Sequence, residues 1–355
     1  MPVVRPYTFV SPIRRCYNVG SGIAESQVRS CRYQISPRPS VALPTVQRAQ
    51  FMHTSPSSQA SPIQINETGK RPPHPATVHR DENVGRNRFA DFDLKGRVFV
   101  VTGGAQGLGL ALAEGLVEAG GKVYCLDRAD KPTAEYNEAL ARVVPEWGGS
   151  LDYRQQDVTD EVTLDRTIAA IADEHQRLDG VVAAAGIQHL CPAVDFKVAD
   201  IERVLRVNFT GVFLTAAASA RQMLKYKSHG SMVFIASMSG LIANKGLPSS
   251  VYNSSKAAVI QLARNLAMEW SPIDKETGAG GIRVNCISPG HIVTPMVQKH
   301  FDETPELKAF WESENPLGRL AQPSDFKGAV LYLLSRASGF TNGSNMVIDG
   351  GHTIW

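Results

Sequence analysis

Thr102-Gly103-Gly104-Ala105-Gln106-Gly107-Leu108-Gly109 decides the reading of this chain. The residues before it, Arg97 to Thr102, form a short β-branched apolar run, the pattern of a buried strand. After it, Leu108, Leu112 and Leu116 recur at helical spacing over 108–119, and Gly120-Gly121 ends that helix. A glycine cluster between a strand and a helix is a seat for phosphate. Gly103 permits the sharp turn, Gly107 lets backbone N–H groups approach an anion, and Gly109 lets the helix pack on the sheet. Gln106 and Leu108 complete the turn.

In such a turn an acidic residue follows about 20 residues on, at the end of the second strand, where it reads a ribose hydroxyl. Asp127 stands there, closing the strand 122–126. Its carboxylate accepts from a 2′-hydroxyl and repels a 2′-phosphate, so NAD is the expected cofactor. Arg128 beside it offers a cation to a 2′-phosphate and keeps NADP open. Downstream, strands are predicted over 150–158, 180–185, 231–236, 282–287 and 345–348. Helices are predicted over 160–175, 199–226, 250–270 and 323–335. The alternation predicts an α/β fold, a doubly wound parallel sheet of seven strands with helices on both faces.

The charge is unevenly spread. The chain of 355 residues has a formal net charge of +3 and is 43% hydrophobic. Residues 1–66 hold seven Arg, no Lys and one acid, Glu25, for a net +6; residues 67–355 carry −3. Eleven of the 21 Pro fall in the first 75 residues, where no apolar period survives. An Arg- and Ser-rich, acid-poor start reads as a mitochondrial matrix presequence over 1–55, followed by a linker over 56–91. Without an import address the chain would be cytoplasmic. The catalytic domain is expected over 92–355. With its basic excess confined to the leader, the chain is expected to have no nucleic-acid or membrane partner. No run of about 18 apolar residues offers a membrane-spanning helix. The five Cys lack metal-ligand or disulfide-framework spacing, and no metal is expected.

The Thr-Gly-x-x-x-Gly-x-Gly spacing resembles that of the short-chain dehydrogenase/reductases, and the resemblance covers about 94–355. Tyr252-Asn253-Ser254-Ser255-Lys256 is similar to that family's Tyr-x-x-x-Lys signature. Asn208 in Val207-Asn208-Phe209 resembles its helix asparagine, and Ser237 in Ile235-Ala236-Ser237 its catalytic serine. Ser288-Pro289-Gly290 with Thr294 resembles its Pro-Gly loop, and Asp157-Val158 the pair beside the adenine. The resemblance implies a Rossmann-like domain with Ser237, Tyr252, Lys256 and Asn208 catalytic. It implies cofactor contacts at Gly103, Gln106, Gly107, Leu108, Gly109, Asp127, Asp157, Val158, Ala185, Gly186, Tyr252, Lys256, Pro289, Gly290 and Thr294. It also implies a homotetramer, with 250–270 and the end near Trp355 in contact.

Elementary chemistry gives these residues the same work. Residues four apart share a helix face, so Tyr252 and Lys256 point together. A free phenol, with a pKa of roughly 10, is a poor proton carrier near neutrality, and a nearby ammonium favours its phenolate. Ser237 at a strand end can hold the substrate oxygen, and Asn208 a water that links Lys256 to solvent. Two features depart from the family pattern. Ala183-Ala184-Ala185-Gly186 replaces a run that usually carries asparagine. Ser237 lies 15 positions before Tyr252, against a usual 13, where Ser239 stands. Ser237 is preferred because it directly ends the strand and Gly240 follows as in the family.

The loop 238–244, with Cys125-Leu126-Asp127-Arg128 and the run ending in Ile187-Gln188, resembles the polyol and ketose branch, which includes fungal arabinitol dehydrogenases and sorbose-reductase-like enzymes. Ser237, Ser239, His189, Asn244 and His291 are the candidate substrate contacts, suited to a hydroxyl-rich small molecule such as arabinitol or its ketose. Residues 294–316 are expected to form a lid. Two other readings are an NAD(P)-linked 3-oxoacyl, hydroxyacyl or steroid reductase, and a catalytically silent NAD-binding sensor.

Overall fold

The computed structural model describes residues 89–355 apart from position 305, so the expected presequence 1–55 and nearly all of the expected linker 56–91 lie outside the described residues. Seven parallel strands form one sheet: β1 (Val98–Thr102), β2 (Lys122–Asp127), β3 (Ser150–Gln155), β4 (Gly180–Ala183), β5 (Ser231–Ile235), β6 (Arg283–Pro289) and β7 (Asn345–Ile348). Their order is β3-β2-β1-β4-β5-β6-β7, and every pairing is parallel. β1 and β5 are buried along their whole length, which explains their unbroken apolar runs.

Helices cover both faces. On one side α1 (Gly107–Glu118), α2 (Ala134–Ala141) and α9 (Lys327–Leu334) enclose a core with Phe99, Val101, Leu112, Leu116 and Val330. On the other, α3 (Glu161–His175), α5 (Gly211–Tyr226) and α6 (Ser250–Trp270) bury Leu164, Ile168, Ala216, Met223, Val259 and Ala263. The predicted helix 199–226 is α4 (Val198–Leu205), a π turn (Arg206–Thr210) and α5 in succession. β3 and β4 end earlier than predicted, at Gln155 and Ala183. Asp157 takes Thr159 into a turn, its carboxylate accepting from the Thr159 N–H and hydroxyl at 2.8 Å each, and this ends the extended chain.

Strand order reverses between β1 and β4. At that switch the connections leave in opposite directions and open a crevice at the carboxyl ends of the strands. The glycine turn after β1 and the alanine run after β4 flank it. The segment predicted as a lid forms two helices, α7 (Pro295–Glu303) and α8 (Glu306–Ser313), with a small core of Phe301, Trp311 and Leu320.

Candidate active site

Gly103 turns out of β1 with φ +68°, and a Cβ there would sit 2.8 Å from Ala185 Cα and N. The two sides of the crevice therefore touch, backbone against backbone, only because position 103 is glycine. The Ala185 N–H donates to Thr102 Oγ1 at 3.4 Å, a tie across the central strands that stands where the alanine run lacks an amide side chain. Gln106 precedes α1 in an extended conformation and is exposed, while Leu108 and Gly109 lie in the first helical turn. Thr294 and Pro295, at the start of α7, adjoin Gly107.

The amides of this turn already hold carboxylates. Asp127 Oδ2 accepts from the Ala105 N–H at 3.2 Å, and Glu135 Oε1 accepts from the Gly107 N–H at 3.0 Å. Gly107 opens α1, whose first N–H groups have no intrahelical acceptor and favour negative charge. An anion is thus seated where a pyrophosphate would lie, and the crevice fits a dinucleotide. Asp157 is exposed just beyond the end of β3, and Val158 is buried against Gly211. Pro289 ends β6, and the Gly290 N–H donates to Ile348 O at 2.9 Å, which fixes the loop beside β7.

Three of the residues singled out for chemistry meet at the ends of β5 and α6. Ser237 begins a tight turn (Met238–Gly240), with its Oγ accepting from the Ser239 N–H at 3.1 Å. Gly240 lets that turn lie on the helix, since a Cβ there would fall 2.8 Å from Ala257 N. Burial pushes the Tyr252 phenol up, and a hydrogen bond from Ser237 pulls the other way. Lys256 Nζ lies 5.7 Å from the centre of the Tyr252 ring and donates to Ile235 O at 2.8 Å. Burial pushes its ammonium down to about 8, with Cys286 opposing. Burial dominates the shift of the phenol, with the Lys256 ammonium facing its ring.

Asn208 is completely buried in the π turn. Its Oδ1 accepts from the Ile187 N–H at 2.8 Å, and its Nδ2 donates to Ile187 O at 2.9 Å and to Ser255 Oγ at 3.1 Å. Ser255 Oγ in turn donates to Tyr252 O at 2.6 Å. A π turn shifts the helical register by one residue and aims such a side chain at a neighbour. Here it stitches the loop after β4 to α6. Gly186 faces the gap between Lys256 Nζ and Asn208 Oδ1.

The candidate substrate contacts are scattered. Ser239 is buried next to Ser237. Asn244 Oδ1 accepts from Asn253 Nδ2 at 2.8 Å, so its amide braces the loop before α6. His189 lies 3.4 Å from Arg203 and 3.9 Å from Asp200, at the start of the α4 region. His291 stacks on Trp311, with ring centres 3.8 Å apart and planes 4° from parallel, and His352 meets it edge-on at 5.4 Å. Burial, helped by His352, pushes the His291 imidazole down to about 3, so it is neutral at physiological pH.

Sequence reasoning missed Ser255 and Glu135 as members of this region, and placed Trp311 only within the expected lid 294–316. Ser255 stood inside the quoted Tyr-to-Lys stretch, three residues after Tyr252, where a helical wheel places it on the Tyr252 face. Glu135 lay in a helix that was not predicted. Among the described residues no group of three or more His, Cys, Asp or Glu is arranged to hold a metal ion.

Known proteins resemble this chain in sequence and fold. A family model described as enoyl-(acyl carrier protein) reductase matches residues 103–353. The "Short chain dehydrogenases/reductase notP'" of Aspergillus versicolor is 39% identical over 265 residues, 74% of this chain and 89% of that protein. The D-arabinitol 2-dehydrogenase (ribulose-forming) of Candida albicans (strain WO-1) is 35% identical over 283 residues, 76% of this chain and 97% of that protein. A crystal structure of a short-chain type dehydrogenase/reductase from Mycobacterium marinum superposes with a TM-score of 0.67 at 35% identity, covering 74% of this chain and 97% of that one. The chain therefore belongs to the short-chain dehydrogenase/reductase family, and it is an oxidoreductase acting on CH–OH groups.

Proposed function

We propose that the protein is an NAD-linked polyol dehydrogenase that interconverts a sugar alcohol, a pentitol such as arabinitol, with its ketose. The observation that carries the reading is the meeting of Ser237, Tyr252 and Lys256 beside the dinucleotide crevice. The D-arabinitol 2-dehydrogenase among its relatives supports the substrate class. Asp127, at the ribose end of the crevice, supports NAD over NADP.

In this reading Tyr252 is the acid–base residue. It takes the hydroxyl proton of the alcohol on its phenolate oxygen, or returns it to the ketone. Ser237 holds the substrate oxygen and stabilises the phenolate through its hydrogen bond. Lys256, charged below about pH 8, supplies positive charge near the phenol. Asn208 positions α6 through Ser255. A bound nicotinamide supplies the two-electron acceptor or donor at its C4 carbon.

The test is a panel of pentitols, hexitols and 3-hydroxyacyl substrates with NAD and NADP. Turnover on a polyol with NAD is expected, and inactivity on every polyol would sink the reading. A second reading, a 3-oxoacyl or hydroxyacyl reductase, is favoured by the description of the matching family model, and the same panel separates the two. Tyr252→Phe separates both from a silent sensor, because it should abolish turnover while NADH still binds. We further propose a mitochondrial matrix location from the Arg-rich leader, and a homotetramer with α6 and the C-terminal end in contact.

A further inference from the structure

α2 is docked onto the glycine turn at two points. Thr133 caps the helix: its hydroxyl accepts from the Tyr136 N–H at 3.1 Å and donates to Ala105 O at 2.5 Å. Two residues on, Glu135 reaches the Gly107 N–H at 3.0 Å. The two contacts differ in kind. Thr133 uses a carbonyl oxygen that no phosphate can use. Glu135 takes the first amide of α1, a group that the fold reserves for phosphate. Glu135 is exposed, so leaving the amide for water costs little packing. No ion pair to Glu135 occurs among the described residues.

We propose that Glu135 is an internal occupant of the pyrophosphate seat. Its carboxylate holds the Gly107 N–H while the dinucleotide is away. When a pyrophosphate arrives, the carboxylate must either give up that bond or remain close to two like charges. Both lower the affinity for any pyrophosphate-bearing ligand, and neither touches the adenine or ribose. Asp127 acts separately, since it takes the Ala105 N–H from the strand end. The consequence for the enzyme is a weaker hold on its dinucleotide. This inference rests on the dinucleotide reading of the crevice and is independent of the identity of the alcohol.

Calorimetric titration of the full chain with ADP and with adenosine, at low and high salt, tests it. Glu135→Gln keeps the size of the side chain and removes its charge; Glu135→Ala removes the contact. Both should bind ADP about three- to tenfold more tightly than the parent. Adenosine affinity should be unchanged, and the ADP gain should shrink at high salt. Unchanged or weaker ADP binding by Glu135→Gln would overturn the proposal. So would equal changes for ADP and adenosine, which would make Glu135 a brace for α2. Failure of the parent protein to bind ADP at all would instead overturn the dinucleotide reading itself.

Discussion

Ser237 and Ser239 both lie buried at the end of β5, yet they meet in a way that separates their roles. Ser239 reaches Ser237 through its backbone N–H, a contact that alanine keeps. The Ser237 hydroxyl lowers the Tyr252 phenol against the effect of burial, an influence that alanine removes. Ser237→Ala should therefore lower kcat by about two orders of magnitude or more, while Ser239→Ala stays within a few fold. Steady-state kinetics on the active polyol checks the ranking, and the reverse order would transfer the role to Ser239. At this scale the sequence was informative wherever spacing carries chemistry: Tyr252 and Lys256 one helical turn apart, Gly103 at a strand end. It was less so for Asn208. Its partners are the backbone of Ile187, 21 residues away, and Ser255, 47 away, and a π turn has no spacing signature that would reveal them.

Among the elements, strands bounded by glycine or buried on both faces were readable, because their apolar runs are continuous. α2 was not: only Tyr136 and Ala139 of its eight residues are buried, too sparse for a helical period. The region 294–316 was not readable as two helices, because its packing depends on partners elsewhere. Leu247, from the loop before α6, joins its core, and Lys245 reaches Glu314 at 3.2 Å. His291 anchors the other side through Trp311. That anchor titrates. The native imidazole binds its proton only near pH 3, against 6.5 for the free side chain, so between these values the unfolded chain holds more protons. The contribution of His291 to stability is full above pH 6.5 and declines as pH falls toward 3. His291→Phe keeps an aromatic face for Trp311 without the titration. Urea unfolding at pH 7 and pH 5 should show the parent losing about 1 kcal/mol more than the variant, the full shift being discounted for partial exposure. Equal losses would show that the stack does not resist protonation.

For the whole molecule, the charge distribution turns a basic total into two unlike parts, residues 1–66 at +6 and residues 67–355 at −3. The order of strands gives a second global property, two sheet edges, and these differ. β7 closes one edge, where Val347 is 39% exposed. The turn before β7 packs on the end of α6, with Gly343 beside Ala267 and Arg264 and Asn342 bonded to Ser271. Around it Met268 is 73% exposed and Phe340 wholly so, and Ile354 and Trp355 lie open at the chain end. An open strand edge beside large apolar side chains is a liability unless a partner covers it. In the proposed tetramer this face is a subunit contact. Met268→Glu and Phe340→Glu place charge on that face without touching the crevice, so each should shift the assembly to a smaller species. Light scattering coupled to size exclusion measures the mass, and circular dichroism checks that the fold is kept. Parent-like mass in both variants would remove this face from the assembly and leave the β7 edge to be covered in some other way.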